Sequence, residues 1–363
     1  IMGAGSLVAS SQLTVNNGFT AQRLGDNLAG SNVNVNNATI SAASPDQYGQ
    51  FQFNGTGLGL SSGVILSTGN IFDAPGPNTQ QGMGTGYGGP GDPDLNTLAG
   101  FNTYDAVVFE FDFEVQSDEI EFDFIFLSEE YNEWVNSGFN DVFAFYISGP
   151  GITGQQNLAI VPGTTTPVSI NTINNNSFWQ YYVDNTAGAV DIEFDGFTTV
   201  MKAQMDSLQE CGVYTLSLRI ADGSDDILDA AVLLGENSLV QANVSAQTNT
   251  VNADGIALEG CIQASFTFEI DSIQGTDITI PYGIGGSATN GVDYQFLDTF
   301  LVIPAGDTAA TIIIDAFADG ITEGQEFIEL YFQTSTCGPQ DTVTLFIDDA
   351  DPIEFALSGT DLI

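Results

Sequence analysis

Between residues 107 and 126 the chain alternates large apolar and acidic side chains with a period of two. In VVFEFDFEV (107–115), Phe109, Phe111 and Phe113 share one face while Glu110, Asp112 and Glu114 share the other. EIEFDFIF (119–126) repeats the arrangement with Ile120, Phe122, Phe124 and Phe126. That periodicity belongs to half-buried strands, with one face dry and the other wet. The spacing predicts an antiparallel hairpin, turned at QSD (116–118), lying over an aromatic core. Acids facing each other across such a pair repel unless something neutralises them.

The same pattern recurs along the chain. GVILSTG (63–69), DVFAFYISG (141–149), VYTLSLRIAD (213–222) and AAVLLGE (230–236) read as strands, and one short helix is expected in 195–208. The loops between them are rich in Gly, Asn and Pro, the longest being 80–100, a length that is usually functional. Residues 11–240 therefore read as one large, lectin-like or jelly-roll β-sandwich. The polar stretch 241–250 reads as a linker, and shorter strands over 251–350 as a second, smaller Ig-like sandwich. Residues 351–363 begin a further linker or module after an Asp-Pro break. The fold class expected is all-β.

The acids have almost nothing basic to meet. The 363 residues hold 47 acids but only Arg23, Lys202 and Arg219, for a net charge of −44. Most carboxylates must face water, accept hydrogen bonds or hold metal ions. Nucleic acid and anionic membrane surfaces are excluded as electrostatic partners, because both need basic footprints. With no histidine, GLSSG (59–63) is a glycine turn and not a working nucleophile elbow, and histidine-based zinc sites are ruled out. No apolar run long enough to span a membrane is present, and the first ten residues lack the charged start of a signal peptide, so the chain reads as mature or excised. Of the three cysteines, Cys261 and Cys337 fall in one expected domain and are expected to pair, leaving Cys211 free and buried. Such a bridge would stabilise by roughly 4–5 kcal/mol and imply an oxidising, extracellular setting.

The blocks SSGVILSTG (61–69), TYDAVVFEFDF (103–113), FLSEEYNEW (126–134), FNDVFAFYISGPG (139–151) and CGVYTLSLRIADGSDDILDAAVLL (211–234) resemble the choice-of-anchor L domain. That resemblance implies a secreted, bacterial cell-surface location in large adhesins, including those of gliding bacteria, and gives no reaction. GVDYQFLDTFLVIPAGDTAATIIIDAFADGITEGQEFIELYF (291–332) and VTLFIDDAD (343–351) resemble a Calx-beta module. This second resemblance implies calcium held at one tip by Glu259, Asp293, Asp319, Glu323, Glu326, Asp348 and Asp349. Ala318 and Ala350 depart from the more acidic pattern of strongly binding members.

Calcium takes six to eight hard oxygen ligands, which loops dense in Asp, Asn and Glu supply. GDPDLN spaces Asp92, Asp94 and Asn96 as an EF-hand loop begins, but lacks its later glycine and glutamate. SEEYNEW and FND add Glu129, Glu130, Asn140 and Asp141 beside an apolar strand, where unpaired charge is costly. Asp222, Asp225, Asp226 and Asp229 read as a solvated loop, and Trp134, Tyr181 and Tyr182 as a candidate sugar-stacking platform. The expected protein is a non-enzymatic adhesin module stabilised by Ca2+, making surface or glycan contacts and giving mechanical extension. Its expected partners are divalent cations, surface glycans or other adhesin modules. The alternatives are a lectin-like recognition module and a filament subunit.

Overall fold

A computed structural model describes residues 12–29, 33–115, 118–239, 244–250, 256–270, 277–318, 320–334 and 337–350. Asp319 and the stretch 351–363 lie outside the described residues. The chain divides into two compact units, Ile1–Gln241 and Ala242–Ile363.

The first unit begins with β1 (Leu13–Asn16), α1 (Ala21–Leu28), β2 (Val35–Ser41), β3 (Tyr48–Phe53) and β4 (Ser62–Ser67). After a long loop come α2 (Pro93–Ala99), β5 (Thr103–Glu114), β6 (Ile120–Ser128), β7 (Val142–Ser148) and β8 (Gln156–Asn157). The unit closes with β9 (Tyr182–Asp184), β10 (Gly196–Thr198), β11 (Met201–Met205), β12 (Val213–Gly223) and β13 (Ala230–Gly235). One sheet runs β1-β3-β4-β13-β6-β10-β9, with β11 also on β6; the other runs β2-β5-β12-β7-β8. The two sheets form a β-sandwich, and the expected all-β class is what the structure has.

The expected hairpin is not formed. β5 lies in the five-stranded sheet and β6 in the eight-stranded one, so their aromatic faces meet across the sandwich. The reason lies in the wet faces. In the observed register Glu110 stands opposite Ser217 and Asp112 opposite Thr215, while Glu121 faces Gln204 and Asp123 faces Lys202. Thr215 Oγ1 donates to Asp112 at 2.7 Å, and Lys202 reaches Glu121 at 2.6 Å. Separating the two acidic strands gives each a neutral or basic neighbour where a hairpin would have set acids beside acids. The helix expected in 195–208 is likewise absent: β10 and β11 occupy it and share the edge of β6 end to end.

Between the sheets, Phe109, Phe111 and Phe113 join Phe122, Phe124, Phe126, Phe143 and Phe145 in one buried core. Phe124 meets Phe145 edge-on at 5.0 Å, and Phe126 stacks on Phe143 at 4.9 Å. Aromatic pairs at such spacings add to the gain from burial. The eight-stranded sheet is covered on its second face too, where Ile125, Leu127 and Leu233 pack with Ile71, Ile192 and Phe194. Short α2 caps the outer face of β7 and β12, its Leu95 packing on Ala144, Tyr146 and Ala221.

The second unit holds β14 (Val244–Thr250), β15 (Ile256–Leu258), β16 (Ala264–Ile270) and β17 (Ile278–Gly286). It continues with β18 (Phe300–Ile303), β19 (Ala309–Ile314), β20 (Glu326–Gln333) and β21 (Gln340–Asp348). Sheets β14-β16-β19 and β15-β21-β20-β17-β18 enclose a core that includes Phe266, Phe268, Tyr294, Leu330 and Phe332. Residues 244–250, expected to be linker, are instead the strand β14, paired along its whole length with β16. Its alternation of small apolar and polar side chains leaves Val244 and Ala246 against the core, which polarity alone did not disclose. The cysteine expectation is also overturned. Cys261 is a free, exposed thiol, and Cys211, expected to be free, is disulfide-bonded, as is Cys337.

Phe124→Ala removes a ring with no exposure from the middle of the aromatic core. It is expected to cost about 3–5 kcal/mol, read as a lower denaturant midpoint with an unchanged slope. A loss within experimental error would mean that the inter-sheet core is not what holds the first unit together.

Candidate metal centres

Antiparallel pairing brings one end of several strands to a common edge of the first sandwich. Ala230 pairs with Ser128 and Ala231 with Ser67. In the facing sheet Gly223 pairs with Thr103 and Ala221 with Val142. Just inside or beyond these residues stand Asp105, Glu129, Glu130, Asp141, Asp222 and Asp229, all buried. Glu193 and Asp195, also buried, follow nearby. The basic side chains are elsewhere: Lys202 pairs with Glu121 and Asp123, and Arg219 with Asp92 and Asp94, while Arg23 lies over the Phe19 ring.

Backbone amides take the place of those missing cations. Asp105 accepts from the N–H groups of Tyr87 (2.7 Å) and Gly88 (3.2 Å) and also from that of Gly89. Asp229 accepts from Thr85 N at 3.0 Å through one oxygen and 3.1 Å through the other. Glu193 holds Thr79 N and Gln80 N. These acids pin the glycine-rich loop between the single 3-10 turn at Ile71–Asp73 and α2 along its length. Glycine is required where the loop passes closest, since a Cβ at Gly84 would collide with the carbonyl of Ile227. Asp105 itself has φ +47° and sits where β5 slips against β12. Such a bulge re-aims a side chain, and the three amide contacts offset the cost of a left-handed aspartate.

Other acids at this edge are not satisfied in that way. Asp141 accepts from Gly223 N and Ser128 Oγ, both at 3.2 Å, and its own N–H donates to Glu130 Oε2 at 3.3 Å. Neither oxygen of Asp222 receives a hydrogen bond, and one oxygen each of Glu129 and Asp195 is also buried without one. The Thr68 hydroxyl beside Asp222 is engaged by the backbone of Ala230. Burial, reinforced by neighbouring carboxylates, pushes Asp141 and Asp222 well above the usual carboxylate range. Burial also raises Glu129 to about 9, with Asp195 and Glu193 adding to it, and Glu130 and Asp229 to about 7. A hard cation or a proton can relieve such a group; bare ionisation of every member cannot.

The second unit offers a more open arrangement. Carboxylate oxygens of Asp293, Glu323 and Glu326 all lie within 4.8 Å of one another. Oxygens bound to one calcium at ~2.3–2.6 Å can be no more than about 4.6–5.2 Å apart, so this trio fits a single ion. The remaining acids of the tip tie it together. Asp349 accepts from Glu323 N (3.2 Å) and Gly324 N (3.0 Å), and Asp348 O accepts from Glu259 N at 3.1 Å.

The structure thus assembles Asp293, Glu323 and Glu326, and keeps Glu259, Asp348 and Asp349 close by in a fastening role. It brings Glu129, Glu130 and Asp141 to one edge, whereas Asn140 Oδ1 accepts from Asn171 N instead. Asp92, Asp94 and Asn96 have another task. Asp92 caps α2 through Asp94 N and Leu95 N, Arg219 bridges Asp92 and Asp94 at 3.1 and 2.5 Å, and Asn96 accepts from Thr103. Asp222 and Asp229, expected to be solvated, are buried, and Asp105, Glu193 and Asp195 were missed. Of the aromatic platform, Trp134 is exposed against Phe139. Tyr181 and Tyr182 pack partly into the core, Tyr182 lying 4.9 Å from Tyr131.

A family model described as the choice-of-anchor L domain matches residues 13–240. No curated protein matches the chain. Among solved structures, an apo-form Calx CBD1 domain is 18% identical, covering 29% of this chain and 98% of that one with a TM-score of 0.23. A structure of CBD12 from CALX1.2 gives the same identity and TM-score, over 29% of this chain and 46% of that one. A beta-galacturonidase from Eisenbergiella tayi bound to galacturonate is 9% identical over 86% of this chain and 43% of its own, with a TM-score of 0.20. At these scores the likenesses carry no argument about ligand or activity.

The raised acids fix the sign of a pH dependence. A carboxyl whose folded pKa lies above its unfolded value stabilises the fold while it is protonated, and that stability is lost as pH rises toward the folded value. With divalent ions chelated, the melting temperature is expected to fall between about pH 5 and 9, because Glu130 and Asp229 titrate near 7 and Glu129 near 9. Glu129→Gln should flatten the portion above pH 7. Melting curves that are level or rise across this window would contradict the assignment.

Proposed function

The chain belongs to the choice-of-anchor L family, whose domains mark secreted and cell-surface proteins, and from that membership we propose a non-enzymatic, calcium-stabilised adhesin module. Its work is to present a folded surface outside the cell and to join neighbouring β-sandwich modules in series. The observation that supports calcium is the convergence of Asp293, Glu323 and Glu326 at the tip of the second unit. Three carboxylates at that spacing repel one another, and an oxygen-seeking dication replaces the repulsion with shared coordination. Because the ion binds the folded tip and not the unfolded chain, it raises stability by mass action, about 2.7 kcal/mol at a hundredfold excess over Kd.

The near-absence of cations agrees with this reading. No helix among the described residues is long and apolar enough to cross a membrane. With Lys202 and Arg219 each paired to acids of the first unit, divalent ions are the available counter-charge for the second unit's tip.

Thermal unfolding of the full chain should be compared in millimolar calcium and after chelation, at fixed ionic strength. A fall of several degrees on chelation is expected, and Glu326→Gln should remove most of the second unit's share of that difference. Identical curves with and without calcium would eliminate the calcium-stabilised reading.

A further inference from the structure

The strand register of the first unit brings two buried acids to the end of one strand pair. β12 and β7 pair as far as Ala221 and Val142; Asp222 and Asp141 come next along each strand, where Gly223 N donates to Asp141 and the Asp141 charge bears on Asp222. Asp141 is 1% exposed and Asp222 2%. Asp141 has a single hydrogen-bond donor on each oxygen, which leaves coordination capacity on both. Asp222 has no N–H donor on either oxygen, and the one hydroxyl beside it, that of Thr68, is shared with the backbone of Ala230. A carboxylate with two buried oxygens against a second carboxylate is among the costliest arrangements a fold can hold without a counter-charge.

We infer that Asp141 and Asp222, flanked by Glu130, hold a divalent cation at this edge of the first sandwich. Oxygen-only donors select a hard ion of the calcium or magnesium class, and the absence of nitrogen and sulfur ligands disfavours zinc or copper. Glu130 lies directly behind Asp141, one of its oxygens already 3.3 Å from Asp141 N. Half-buried Asp225 adds negative charge next to Glu130. The Asp293 trio is the group of acids that closes to within 4.8 Å among the described residues, so binding in the first unit must draw its three carboxylates together. The ion would thereby tie the end of β12 to the start of β7 and to the segment after β6. This site shares no residue with the second unit's tip and does not rest on it.

The test counts bound calcium by equilibrium dialysis on the full chain. Glu326→Gln removes the tip site, and the remaining protein is expected to bind calcium; adding Asp222→Asn should then remove one ion per chain. Asparagine matches the size of a protonated aspartate, so the double variant should still unfold cooperatively in chelator. Equal binding by Glu326→Gln and by the double variant would overturn the site, as would an absence of binding by Glu326→Gln alone. Undiminished binding after Glu326→Gln, lost on adding Asp222→Asn, would count against the tip site and uphold this one. A measurement without substitutions is a crystal of the chain soaked in a lanthanide. An anomalous peak between Asp141 and Asp222 is expected, and its absence would overturn the proposal.

Discussion

Carboxylates buried without cations are the condition to which the rest of the first unit answers. Among the described residues of the first unit nine acids are buried, and of these Asp92 meets a basic side chain, in a chain with three basic residues. Backbone N–H groups are the commonest donors available, and the glycine-rich loop after β4 supplies them in series to Glu193, Asp229 and Asp105. The loop is ordered because acids hold it, and the acids can be buried because the loop reaches them. The helix α2 then continues from the same loop, with Asp92 at its cap and Arg219 closing the last pair.

Much of this was legible in the parity of the sequence. Asp105 is in phase with Phe109, Phe111 and Phe113, and Asp222 is in phase with Tyr214, Leu216, Leu218 and Ile220. Both therefore sit on the dry side of their strands, a parity that the expectation of a solvated loop at Asp222 did not weigh. Other features were not legible. Which sheet β6 joins depends on β11, β12 and β13, far along the chain, since those strands decide what faces each acid. Local spacing favoured a hairpin because adjacency is the only partner it can see. The EF-hand-like spacing of Asp92, Asp94 and Asn96 misled for a similar reason: Arg219 reaches the two aspartates across 127 and 125 positions.

The two units handle negative charge differently. In the second, Asp293 and Glu326 are half-buried and Glu323 is exposed, so an ion can come and go with the surrounding concentration. In the first, the acids are enclosed, and whatever neutralises them is part of the folded interior. One arrangement lets an ion exchange quickly with the medium, and the other takes it up and releases it more slowly.

The parallel pairing of β15 with β21, Ile256 to Phe346 and Leu258 to Asp348, has a further consequence. These strands lie near the start and the end of the second unit and run in the same direction. Tension applied at the two ends of the unit would drag them past each other, loading their cross-strand hydrogen bonds together in shear. Antiparallel partners pulled from one shared end would instead be unzipped a bond at a time. Under such a load the short β15 would bear a share out of proportion to its three residues.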